Sequence, residues 1–138
     1  MTPRAVAWLR QAENDLAAAR VTASGNFHAQ ACYLAGQAAE KALKALLVAT
    51  GLTPPYSHAL DRLVEMLSSQ GLATDAFEGL RLKALTRMNS EARYPLGDEA
   101  PADLFDADDS AQALACASKV VEIAAAHLAG WGPSDTTQ

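Results

Sequence analysis

Hydrophobic residues recur along most of this chain at the three-to-four-residue spacing of amphipathic helices, and glycine, proline and capping residues punctuate the pattern. The first run covers about 3–23. Thr2 is placed to cap it, Pro3 suits its first turn, and Trp8, Leu9, Ala12, Leu16 and Ala19 form one face while Arg10, Glu13, Asn14 and Arg20 take the wet side. Ser24-Gly25-Asn26 breaks the pattern and predicts a tight turn into an antiparallel second helix over about 27–50. That helix is apolar on two sides: Phe27, Ala31, Leu34, Ala38, Ala42, Ala45 and Ala49 share one face, and Gly36, Leu43 and Leu47 lie nearly opposite. A narrow stripe of Gln30, Tyr33, Gln37, Glu40, Lys41 and Lys44 runs between them, so this helix is expected to be central, with neighbours nearly all round.

After Gly51, Pro54-Pro55 keeps the chain extended until Ser57, the expected cap of a short third helix that buries Leu60, Leu63, Val64 and Leu67 and closes at Gly71. A fourth helix is expected from Thr74 or Asp75 to about Asn89, with Phe77, Leu80, Ala84, Leu85 and Met88 inward and a basic outer side of Arg81, Lys83 and Arg87. Residues 90–106 hold two prolines and a glycine without a helical period, which reads as a loop of a length uncommon in a compact bundle unless it serves a purpose. The last helix, about 107–129, opens on acidic residues that suit its N-terminal dipole and buries Leu114, Ala117, Val121, Ala124 and Leu128. The expectation is an all-α, up-and-down bundle of about five helices, four long and one short. It occupies one domain, 1–129, followed by a flexible tail, 130–138.

Composition supports the helical reading and narrows the function. Half of the 138 residues are hydrophobic, dominated by alanine and leucine, enough for one core without disulfides or metal. The net charge of −5 opposes general attraction to phosphate backbones and leaves only a local basic patch for such a ligand. Cys32 and Cys116 form neither a disulfide framework nor a zinc motif. The N-terminus has no signal-peptide pattern, and no stretch of about 18 uninterrupted apolar residues occurs, so a cytoplasmic protein without membrane association is expected.

On the polar stripe, Lys41 and Lys44 with Gln37 could hold a phosphate; the competing reading is a Glu40–Lys44 pair on a solvated face. Arg87, Arg93 and Tyr94 would join them if the long loop folded back over the second helix, making a basic, partly aromatic concavity suited to a nucleotide. His58 sits just inside the start of the third helix, where packing or a backbone hydrogen bond explains it as well as a ligand does. His28 and Cys32 have zinc-pair spacing but lack further ligands, and the acidic residues of 98–109 lack the order of a calcium loop. No metal and no cofactor are expected. A phosphate-cradling glycine loop and a nucleophile elbow are also missing, which removes the usual footing for kinases and hydrolases.

The segment Ala35-Gly36-Gln37-Ala38-Ala39-Glu40-Lys41-Ala42-Leu43-Lys44-Ala45-Leu46-Leu47 resembles the second helix of HEPN-domain proteins. Trp8 with Asp15-Leu16 resembles their first helix, His58 with Leu60 and Leu63 the start of their third, and Arg93-Tyr94-Pro95 the segment after their fourth. The resemblance covers roughly 4–129. It implies a helical bundle that homodimerises and partnership with a small nucleotidyltransferase in toxin–antitoxin-like pairs; the candidate ligand site for nucleotide or RNA, read from the residues themselves, is Gln37, Lys41, Lys44, His58, Arg87, Arg93 and Tyr94. Members that cut RNA carry an arginine, four to six residues, then a histidine. Here Arg20 precedes His28 by eight positions, and no histidine follows Arg93 until His127. The expected function is therefore a binding and interaction module, not a self-sufficient enzyme, with no catalytic residue assigned. The alternative is a ribonuclease toxin with an atypical site, His58 with Arg93.

Overall fold

The computed structural model describes the backbone of residues 2–136 and the side chains of 2–130. Within them the chain forms six helices and no strand: α1 (Pro3–Ser24), α2 (His28–Ala49), α3 (Leu60–Ser69), α4 (Leu82–Glu91), α5 (Pro101–Leu104) and α6 (Ala107–Thr136). The segment 130–138, expected to be a tail, is described only as backbone as far as Thr136, and its side chains beyond 130 lie outside the described residues.

Thr2 caps α1 as its chemistry suggests, its Oγ1 accepting from Ala5 N at 3.2 Å, with Pro3 in the first turn. Asn26, in the left-handed region at φ 68°, turns the chain into α2. α2 then occupies the centre of the bundle, in contact with α1, α3, α4, α5 and α6. Its alanines are buried and let neighbouring backbones approach, while Leu43, Leu46 and Leu47 fill the space between them. Each such leucine contributes about 1.5–3 kcal/mol by leaving water. α1 brings Ala5, Ala12, Leu16 and Ala19 against this helix, and α6 brings Ala117, Val120, Val121, Ala124 and Leu128 to the same core.

Three expectations are corrected. The fourth helix does not run unbroken from residue 75: a 3₁₀ turn at Asp75–Phe77 is followed by Gly79 at φ +82°, a backbone state that only glycine adopts without strain, and α4 begins at Leu82. Ser57 does not cap α3. Its hydroxyl accepts from Ala59 N, and the first-turn N–H of Leu60 finds a tertiary partner, Thr86 Oγ1 of α4, at 3.1 Å. His58 accordingly lies in the loop before α3, not inside the helix. Within 90–106, α4 reaches Glu91 and α5 adds a single turn, so this segment is not wholly loop.

α6 starts as its acidic residues predict. Asp109 N donates to Asp106 Oδ1 at 3.0 Å and Asp106 N donates to Asp109 Oδ2 at 2.9 Å, a reciprocal cap. Its span Ala107–Gly130 is also long and apolar enough, by length and composition, to cross a membrane, but in this fold its apolar side packs on α1, α2 and α4.

Candidate functional site

Tyr33, Gln37, Glu40 and Lys44 succeed one another on one face of α2, and three other elements converge on that face. From the α2–α3 loop, His58 brings Nδ1 to 2.9 Å from Glu40 Oε1. A carboxylate only accepts, so the Nδ1–H donates, and Nε2 of a side chain 71% exposed is left facing solvent. Lys44 Nζ donates to the other oxygen, Oε2, at 3.0 Å, and both side chains of that pair are under a tenth exposed. Glu40 and Lys44 thus pair at the expected spacing, but buried and not on a solvated face.

Lys41 turns the other way. It is bound to Asp15 of α1, whose second oxygen accepts from Gln11 Nε2 at 2.9 Å. From the chain after α4, the Arg93 guanidinium stacks over the rings of Tyr33 and Tyr94 at 5.1 Å from each centroid, and its Nη2 donates to Tyr94 Oη at 3.2 Å. Tyr33 and Glu40 are seven residues apart, two turns, so the Arg93 stack and His58 lie on the same side of α2, about 10 Å apart along its axis. Between them α4 comes so close that a Cβ on Gly36 would meet Asn89 Cβ at 2.8 Å. Asn89 Oδ1 is buried there without a hydrogen-bond partner among the described residues.

The seven residues expected to form a ligand site therefore fall into groups. Arg93, Tyr94, Gln37, Lys44 and His58 border the same side of α2, although Lys44 has its ammonium committed to Glu40. Lys41 is committed to Asp15. Arg87 stands exposed on the outer side of α4, away from the residues that α4 buries. Sequence reasoning passed over Tyr33 as half of the arginine sandwich, Glu40 as the anchor of His58, and Asn89. Tyr33 was legible in principle, because it lies one turn before Gln37 on the same stripe; Asn89 carried no sequence signal.

His28 and Cys32 serve structure. His28 Nδ1 is 2.9 Å from Ser110 Oγ, and Cys32 is fully buried, with desolvation pushing its thiol up to about 12. No group of three or more His, Cys, Asp or Glu able to hold a metal occurs among the described residues.

A family model described as HEPN domain matches residues 5–128. Among solved structures, TT1696 from Thermus thermophilus superposes with a TM-score of 0.80 at 28% identity, covering 89% of this chain and 97% of that one. ST0689, described as an archaeal HEPN homologue, superposes with a TM-score of 0.69 at 25% identity, covering 91% of this chain and 98% of the other. No curated protein matches the chain.

Proposed function

The chain belongs to the HEPN family, and on that premise we propose that it is a homodimeric binding and interaction module that holds a nucleotide or an RNA end at the Arg93 face of α2. The observation that carries this reading is the Arg93 sandwich. Lys41 and Lys44 are neutralised by Asp15 and Glu40, whereas Arg93 has two aromatic faces and no carboxylate partner among the described residues. A guanidinium set over two tyrosine rings, 5.1 Å from each centroid, has edge donors to offer a phosphate, and the uncovered ring surface offers a base somewhere to stack. In a protein of net charge −5, an unneutralised cation of this kind is where a phosphate-bearing ligand gains most.

Titration calorimetry with ATP and a short single-stranded RNA tests the reading. Arg93→Ala should weaken binding by about 1–3 kcal/mol, the scale of one charged hydrogen bond, and Tyr33→Ala by a similar amount through lost stacking. Binding that survives both substitutions places the site elsewhere, and absence of binding to the wild type removes the ligand. The cytoplasmic partnership with a nucleotidyltransferase, as in toxin–antitoxin-like pairs, rests on the family resemblance. Co-purification with a nucleotidyltransferase encoded beside this chain would support it.

One observation favours a second reading, a ribonuclease with an atypical site. A carboxylate that fixes the tautomer of an exposed imidazole is the arrangement of a general acid–base pair, and Glu40 holds His58 in this way. Incubation with structured and unstructured RNA, beside His58→Ala, decides between them. Cleavage lost in the variant establishes the enzyme; intact RNA in both leaves the binding module.

A further inference from the structure

α2 is nearly closed off from solvent: between 31 and 48 only Tyr33, Leu34, Gln37 and Lys41 are not buried. Tyr33, Gln37 and Lys41 follow one another at four-residue steps, which makes them a single ridge along the helix, about 12 Å long. One end of that ridge is the Arg93 stack, since Arg93 lies over Tyr33. The other end, Lys41, borders an open hollow of about 330 Å³ whose remaining lining comes from α1: Arg4, Ala7, Trp8 and Gln11.

That hollow has the two components that hold a nucleotide whatever its base: an aromatic surface and an unneutralised cation. Trp8 is half-buried, packed on the core with part of its side chain and lining the hollow with the rest. Arg4 is exposed one turn before it on the same face, and a second hollow continues past Ala7 and Gln11 to Arg10. Among the described residues, neither Arg4 nor Arg10 has a carboxylate at ion-pair distance, and no acidic side chain lines either hollow. The acids beside the ridge are already occupied: Asp15 holds Lys41 and Gln11, and Glu40 holds Lys44 and His58.

We infer that the Trp8 hollow is a second nucleotide subsite: a single strand of RNA runs from the Arg93 stack along Tyr33, Gln37 and Lys41, stacks a base on Trp8 and places a phosphate at Arg4. This rests on the ligand site proposed above and narrows its ligand from a free nucleotide to an RNA segment several nucleotides long. Gln37, between the two ends, offers both a donor and an acceptor to the 2′-hydroxyl or base edge that passes over it. Every base has a face to stack, so the path holds RNA with little regard to sequence.

The test compares pentaadenylate, long enough to reach both places, with AMP on the full chain. Trp8→Leu and Arg4→Glu should each weaken pentaadenylate at least about ten-fold, so that its advantage over AMP collapses, whereas Arg93→Ala should weaken both ligands. Arg4 is exposed, so its replacement tests the subsite without touching the core. The sequence has two tryptophans, and Trp131→Phe leaves Trp8 alone to report; its fluorescence should be quenched as pentaadenylate binds. RNA that binds without quenching Trp8, or that neither Trp8→Leu nor Arg4→Glu weakens, overturns the subsite while leaving the Arg93 site standing. Quenching that persists undiminished in Arg93→Ala makes the two places independent and overturns the continuous path. A pentaglutamate peptide that quenches Trp8 as well as the RNA does overturns the assignment in favour of an acidic protein segment. A wild type that binds neither AMP nor pentaadenylate removes the proposed ligand, and the subsite with it.

Discussion

Glu40 shows how one side chain can set the character of a site. Its carboxylate is nearly out of water, with an ammonium on one oxygen and an imidazole on the other. Removing Lys44 leaves a buried acid with only a solvent-exposed histidine beside it, and an uncompensated buried charge is among the more costly single changes a fold can suffer. Lys44→Ala should therefore lower stability by about 3 kcal/mol in urea denaturation. The double variant Lys44→Met/Glu40→Gln should lose less than the sum of its two single variants, because the two positions share one interaction. An additive result, or a Lys44→Ala loss near zero, would show that the pair is not coupled. The same geometry explains why Lys44 is a poor phosphate ligand: anything that recruits it must first displace Glu40. Arg93 has no such partner to displace.

At the scale of elements, α4 and α6 show how local chemistry positions a site. Gly36 on α2 is what admits α4: with a side chain there, Asn89 would have to move, and the Arg93 segment that follows α4 would move with it. α6 is held at its start by the Asp106–Asp109 cap, in which the backbone N–H of Asp109 holds the Asp106 carboxyl below its ordinary value of 3.8. A carboxyl with a depressed folded value contributes stability above its unfolded value and loses it as pH falls through the folded one. Asp106→Ala should thus melt at a lower temperature than wild type at neutral pH, and the gap should narrow steadily as the solution is acidified below 3.8. Differential scanning calorimetry across that range checks it, and a gap that widens on acidification would refute the cap as its source.

For the whole molecule, α2 makes the bundle a cooperative unit, because its contacts with the other five helices tie them to one core. Cys32 sits in that core, fully buried, its thiol raised to about 12 by desolvation. It should resist iodoacetamide in the native state and become labelled only along the global urea transition; labelling well before it, followed by mass spectrometry, would reveal a separately opening α2. The central place of α2 was legible in the sequence, because apolar residues on two faces of one helix demand neighbours on both sides. So were the Thr2 cap, the turn at Asn26 and the acidic start of α6, since caps and turns depend on residues within a few positions of one another. The break at Gly79 was missed for the opposite reason: the apolar period carried across it, and only its place in the fold required a left-handed residue there. The site was half legible. The stripe on α2 named its residues, and the spacing of Glu40 and Lys44 showed that they could pair, but the commitment of Lys41 to Asp15, 26 residues before it, and the hold of Glu40 on His58, 18 residues after it, were decided far along the chain. Periodicity fixes which face of a helix a residue occupies. What buries or neutralises it there depends on tertiary packing, and so does the difference between a committed lysine and an available arginine.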